Sequence, residues 1–415
     1  MKMFDRISPL CTAYLRPDGR KGIRDKLLVI HTVDCSAHVA FCVAEELRRR
    51  GVEAEVIGQR SCFDHQVRIR ALLSYCVHPN VGGVLLIGNG CESTSPEMID
   101  AFARENGRPS RWFNLIDAGG TARGIARGVK FGEEIAAEMK AKAIRVPFFL
   151  SDLIVCGKCG GSDFTSGLAG NPLVGSLFDT VVDAGGTCLF AEMNEGMGLK
   201  DFFAGRGVDD AAKAEIAATY DKAERSCKLG GRFFISRGNV AGGLTTIEEK
   251  SMGAAAKSGS RPIQGVLKIG QQPPWKGLWL FDEVADEIYP HRIPAEGNQG
   301  GDCAILMLMG TAGCQISCLV TGRGHTCGVG LSPTIKITGN PRTFAAMDDD
   351  IDVNAGRLLT GETSMEELTE ELLEYTAEVC RGRLTHAERH GHRENEMWSV
   401  AQEPVAPESD ICSLR

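Results

Sequence analysis

Short β-rich apolar runs alternate with stretches of helical spacing through the first third of the chain, and that alternation leaves few folds open. Residues 26–33 (KLLVIHTV) form an apolar run of strand length. Residues 36–50 carry helical spacing with a basic last turn, closed by Gly51. Residues 53–57 and 82–87 (GGVLLI) read as further strands, with another near 112–116; helices are expected over 66–75, 96–105 and 121–139. Strands separated by helices pair in parallel, because a crossover helix returns the chain to the same end of the sheet. The expected fold class is α/β, beginning with a doubly wound parallel sheet. Ligands of such sheets bind beyond the carboxyl ends of the strands, where the loops here carry Cys35 and Cys91.

A chain of 415 residues exceeds one ordinary core. We expect a Rossmann-like or flavodoxin-like α/β domain over 1–147, a larger α/β catalytic domain over 148–395 and a loose tail over 396–415. In the second domain, a strand over 151–155 leads into a cysteine-bearing loop at 156–161, then a helix over 172–183 and a strand over 187–191. That order repeats the one at 26–57, as any two βαβ units would. An amphipathic helix over 208–228 and a helix over 244–257 follow. Short strands are expected at 277–281, 303–309, 315–320 and 335–338, and an acidic amphipathic helix at 362–381.

The formal net charge of −8 argues against a nucleic-acid partner, since no basic patch is present to displace counterions from phosphates. No apolar run has membrane-spanning length and residues 1–9 lack the core of a secretory signal, so a cytoplasmic location is expected, with no membrane partner. Sixteen cysteines there are expected as thiols rather than a disulfide framework.

Several motifs could carry chemistry. Arg16-Pro17-Asp18-Gly19-Arg20, with Arg24, reads either as a turn with solvated charges or as bidentate carboxylate clamps. Cys35 and His38 would share one face of a helix. Cys91-Glu92 and Cys156-Gly157-Lys158-Cys159-Gly160-Gly161-Ser162-Asp163 lie on glycine-bearing turns at inferred strand ends. Cys35, Cys91 and Cys159 suit iron as thiolates, or simply line a pocket; a redox CxxC at Cys156 and Cys159 is a further reading. Residues 238–250 read as an anion-binding helix start or a threonine-capped connection, without the spacing of a nucleotide loop, so no nucleotide cofactor is implied. Arg323 and His325 offer a cation and a proton carrier, and Asp348, Asp349, Asp350 and Asp352 form either a hard-cation site or an acidic surface loop.

At these motifs the chain resembles the altronate/galactarate dehydratase family. The matching stretches include residues 14–24 (YLRPDGRKGIR), Gly90-Cys91-Glu92, residues 158–163 (KCGGSD), 169–172 (AGNP), 241–250 (AGGLTTIEEK), 321–324 (TGRG) and 350–354 (DIDVN). The resemblance implies dehydration of an aldonic or aldaric acid to a 2-keto-3-deoxy product, dependent on iron or another divalent metal. The candidate metal ligands are Cys35, Cys91 and Cys159. The candidate proton-transfer groups are His38, Lys158 and His325, and the candidate contacts to the hydroxy-acid substrate are Arg16, Arg20, Ser162, Asp163, Thr245, Thr246, Lys250 and Arg323. Family members often carry a small N-terminal SAF-type domain, so a separate small SAF-domain subunit, within a homo- or hetero-oligomer, is expected as partner. Sulfolactate sulfo-lyase large subunits are similar as well, which makes sulfite release the second reading. A ligand-binding subunit without activity is the alternative of another class.

Overall fold

A computed structural model of the chain describes residues 8–62, 66–191, 193–230, 235–284 and 301–395. The expected tail at 396–415 lies outside the described residues.

The chain enters through β1 (Cys11–Leu15) and β2 (Lys21–Gly22), an antiparallel pair turned by the Arg16–Arg20 segment. Then β3 (Lys26–His31), β4 (Ala54–Gly58), β5 (Val81–Gly88) and β6 (Ser110–Asn114) form a four-stranded parallel sheet in the order β4-β3-β5-β6. Helices Asp34–Arg49 and Thr121–Lys142 pack together and bury Val39, Val43 and Leu47 on one face. Helices Gln66–Cys76 and Pro96–Glu105 cover the other, so the sheet is doubly wound. Next, β7 (Arg145–Phe148) runs back to pair antiparallel with β1, a contact between distant segments that local periodicity does not encode.

The second parallel sheet has seven strands: β8 (Ile154–Cys159), β9 (Thr187–Phe190), β10 (Ile263–Leu267), β11 (Gly277–Phe281), β12 (Ile316–Thr321), β13 (Thr334–Thr338) and β14 (Val353–Asn354), in the order β10-β11-β9-β8-β12-β13-β14. Helices Asn171–Asp183 and Met365–Cys380 bury Leu173, Leu177, Leu372 and Val379 against one face. On the other face, Leu28, Tyr75 and Leu86 of the small-sheet layer share one core with Cys156, Leu189, Trp279 and Leu319 of the large sheet.

The expected strand at 303–309 is instead the helix Asp302–Gly310, buried throughout Ala304–Gly310 within the core shared by the two sheets. An element apolar on every side shows neither the helical nor the strand period, and Leu and Met at four of its positions favour the helix. The expected loop at 156–161 begins later, because Cys156 to Cys159 pair inside β8 with β9 and β12. The cysteines are not all thiols either: Cys303 and Cys327 are bridged, while thirteen others among the described residues are free.

Candidate active site

In the large sheet β9, β11 and β10 lie to one side of β8, and β12 to β14 to the other. That reversal of direction opens a crevice beyond the carboxyl ends of β8 and β12. The two loops that leave these strands are tied together there: Gly160 N–H donates to Val320 O at 2.9 Å and Arg323 N–H to Gly161 O at 2.9 Å. Gly161 and Gly324 have φ of 58° and 101°, values that favour glycine.

At the end of β8 the Lys158 side chain is fully buried (0% exposed), with its Nζ 3.0 Å from Glu195 Oε1 and 4.0 Å from Glu283 Oε2. Glu195 follows β9 and Glu283 follows β11, so three neighbouring strands deliver their carboxyl-end residues to one point. Lys250 Nζ approaches Glu195 Oε1 at 3.9 Å, from the helix Ile247–Ala255. Burial by itself would raise the Glu195 pKa, but Lys158, Lys250 and Lys257 together pull it well below the usual carboxylate range. Glu195 is thereby held ionised, because a carboxylate surrounded by lysine side chains is the arrangement that offsets its desolvation.

Lys250 also lines a cavity of about 350 Å³ with Cys159, Ser162, Asp163, Asn171 and Glu249. Its rim is apolar and exposed: Phe164 at 52%, Leu168 at 61% and Met252 at 69%. Arg323 lines an adjoining recess with Asp163, Gly242 and Asn340.

Beside these loops, ligand atoms of Cys303, His325 and Cys327 lie within 4.8 Å of one another, the one such His/Cys/Asp/Glu group of three or more among the described residues. His325 Nε2 stands 3.5 Å from Asp302 Oδ2, while its Nδ1 is buried with no hydrogen-bond partner. Asp302 in turn abuts Gly160, where a side chain would collide with its carboxylate. Two sulfurs, an imidazole and a nearby carboxylate suit a divalent ion of the zinc or ferrous class once the bridge is open.

The structure thus brings Lys158, Cys159, Ser162, Asp163, Lys250, Arg323 and His325 to one end of one sheet. Within that group Asp163 is a strut: its Oδ1 accepts from Thr165 N–H, Thr165 Oγ1 and Ser166 N–H, and its Oδ2 from Asn340 Nδ2. The other expected residues stand elsewhere or are already occupied. Arg16 gives its guanidinium to Pro79 O, Asp25 and Arg24 O, and Arg20 gives its own to Asp18, Gln272 and Val77 O. Neither lines the cavity; they fasten the entry turn to the rest of the fold. Thr246 caps the helix Ile247–Ala255, and Glu249 returns to accept from Thr245 N–H, Thr245 Oγ1 and Thr246 N–H. The anion expected at that helix start is thus the chain's own carboxylate. Those backbone N–H groups hold Glu249 below the usual carboxylate range.

His38 is exposed on the helix Asp34–Arg49, with its Nε2 3.6 Å from Cys42 Sγ. As a metal triad, Cys35, Cys91 and Cys159 are not gathered: the first two are exposed on the small-sheet layer, and Cys159 is buried at the end of β8. Asp350 and Asp352 are committed to Lys336, Tyr375 and His386 N–H.

Glu195, Glu283, Lys257, Asp302, Cys303 and Cys327 join the site without having been expected there. Glu195 and Glu283 carry a local signal, since each is an acidic residue just beyond the carboxyl end of a strand. Cys303 is hidden by the expected strand, and Cys327, two residues beyond His325, stands 24 residues from it.

Two family models match the chain. The model described as D-galactarate dehydratase/altronate hydrolase, second domain, matches residues 13–140, and that described as D-galactarate/altronate dehydratase, C-terminal, matches residues 150–403. Among curated proteins, the chain is 31% identical to (2R)-sulfolactate sulfo-lyase subunit beta of Chromohalobacter salexigens, over 92% of this chain and 95% of that protein. It is 29% identical to altronate dehydratase of Bacillus subtilis, over 92% of this chain and 76% of that protein. It is 28% identical to galactarate dehydratase (L-threo-forming) of Escherichia coli, over 76% of this chain and 60% of that protein.

Proposed function

The chain belongs to the D-galactarate/altronate dehydratase family, and from that premise we propose that it is a metal-dependent hydro-lyase acting on a small sugar acid. The relatives are named as dehydratases and a sulfo-lyase, and this chain is a lyase. The substrate in this reading is an altronate-like aldonate or aldarate, and the product its 2-keto-3-deoxy acid. The observation that carries the reading is the buried Lys158–Glu195 pair, reached from the cavity through Lys250.

The proton α to a carboxylate is only weakly acidic, so elimination needs a cation on that carboxylate, a base for the proton and an acid for the departing hydroxyl. Lys250, at the cavity wall, binds the carboxylate. Doing so turns one of the cations that depress Glu195 towards the substrate, and Glu195 becomes a stronger base. Lys158, in contact with Glu195 and Glu283, supplies the acid. Cys303, His325 and Cys327 are the residues that would hold the metal, which assigns His325 to ligation rather than proton transfer. Iron, the favoured ion, would supply positive charge for the developing negative charge of the substrate.

A small SAF-type subunit is the proposed partner, supported by the word "subunit" in the name of the Chromohalobacter relative and by the exposed rim of Phe164, Leu168 and Met252, apolar surface that a second chain would cover. Among the described residues no helix is long and apolar enough to cross a membrane; we place the protein in the cytoplasm.

Sulfite release from sulfolactate is the second reading, favoured by the match over 95% of the sulfo-lyase subunit. The test is turnover of an anaerobically prepared, iron-supplied chain, with and without its small partner, against a panel of aldonates and aldarates and against sulfolactate. Keto-acid formation from a sugar acid is expected. Sulfite release alone moves the function to the second reading, and turnover of neither substrate class overturns both.

A further inference from the structure

The geometry points to a thiol-gated metal site: Cys303, Cys327 and His325 Nδ1 bind one ferrous- or zinc-class ion only when the Cys303–Cys327 bridge is reduced. The inference rests on the proposed function for the ion's purpose, but not for its binding. Ligands on a tetrahedral ion with bonds of about 2.0–2.3 Å stand about 3.4–3.8 Å apart. Ligand atoms already within 4.8 Å of one another therefore need only side-chain adjustment to close on it.

The imidazole is set for that role. Its Nε2 faces Asp302 Oδ2 at 3.5 Å, the carboxylate contact that commonly orients a ligating histidine, and its Nδ1 is buried without a partner. Cys303 is the second residue of the helix Asp302–Gly310, where the helix dipole favours a negatively charged sulfur. Three protein ligands leave one position of a tetrahedral ion open, as catalytic rather than structural sites do. Asp302, which orients His325, abuts Gly160, one residue beyond Cys159 of the cavity wall.

Bridged sulfurs have no thiolate to offer, so bridge and ion exclude each other. Opening the bridge breaks the S–S bond: two electrons pass to the sulfurs from a dithiol, which closes its own disulfide, and two protons leave the dithiol for the two sulfurs. Binding of the divalent ion then releases those two protons as the thiolates form.

Cobalt(II) is the probe, since thiolate ligands give it charge-transfer absorption. The full chain is prepared metal-free in bridged form and in dithiol-reduced form, freed of dithiol without oxygen, and titrated without substrate. The reduced form is expected to take up one cobalt ion with thiolate charge-transfer bands and to lose two reactive thiols on loading. The bridged form should show neither. Cys303→Ser/Cys327→Ser should abolish the bands, and His325→Ala, which leaves both sulfurs in place, should shift them and weaken binding. Absence of the bands in the reduced form, their survival in the double-serine variant, or equal uptake by the bridged form overturns the inference. Sugar-acid turnover by a chain that fails this test would leave the proposed function standing, and a gated ion without turnover would do the reverse.

Discussion

The two parallel sheets each have a point where strand order reverses, and the chain treats the two points in opposite ways. In the small sheet it lies between β3 and β5. There Glu92 closes the loop on itself, accepting from Thr32 Oγ1 and from the N–H groups of Asn89, Gly90 and Cys91. Burial would raise that carboxylate's pKa, but the Thr32 hydroxyl and the backbone N–H groups of the loop prevail and hold it below the usual range. In the large sheet, between β8 and β12, the strand ends deliver Lys158, Glu195 and Glu283 into the interior and leave a cavity beside them. A switch point is therefore only an opportunity for binding. Where the chain fills it with its own anion the loop is finished, and where buried charges meet a cavity it can still act on a ligand.

That contrast can be broken at its stronger end first. Lys158→Met should lower kcat about 10²–10⁴-fold, the usual contribution of a positioned acid or base. It also leaves buried carboxylates without their nearest cation, so thermal unfolding should report a loss of roughly 3–5 kcal/mol. Activity within a few-fold of the parent in a folded Lys158→Met protein would remove the large-sheet switch point from the chemistry.

A smaller effect is expected at the cavity wall. Lys250→Ala should cut kcat/KM about 10–100-fold, with a raised KM, because one charged contact of about 1.5–3 kcal/mol to the substrate carboxylate is lost. Steady-state kinetics on the productive sugar acid would read this, and unchanged parameters would take Lys250 out of substrate binding.

The least effect should come from the small sheet. Cys35→Ser and Cys91→Ser, at exposed positions, should change stability by no more than about 0.5 kcal/mol and kcat by less than about twofold. A large activity loss in either variant, with its melting temperature unchanged, would return the small-sheet switch point to the active site and undo the contrast.

Most of the α/β layout was legible from residue order. Apolar runs at 26–33 and 82–87 became β3 and β5, and the spacing at 96–105 and 121–139 became the helices Pro96–Glu105 and Thr121–Lys142. These elements have one buried face or a continuous buried run, which periodicity reports directly. Periodicity does not identify the helix Asp302–Gly310, which is buried on every side, or β7, whose partner β1 is over 100 residues away.

The candidate site divides the same way. Residue types and glycine-bearing turns were enough to mark Lys158, Lys250, Arg323 and His325, since a strand-end lysine or a loop arginine announces itself locally. Whether a marked residue is available is not local. Arg16 and Glu249 show this from opposite sides, one clamp spent on Pro79 and Asp25 and one carboxylate sealing the helix start that looked vacant. Nor does any short motif contain Lys158 with Glu195 and Glu283, or Cys303 with His325 and Cys327. The first group exists because strands far apart in sequence are neighbours in one sheet and share one carboxyl edge, and the second because the helix Asp302–Gly310 lies beside the loop that leaves β12. Hydrophobic periodicity along the chain determines the elements; only their packing order determines which charges and sulfurs meet.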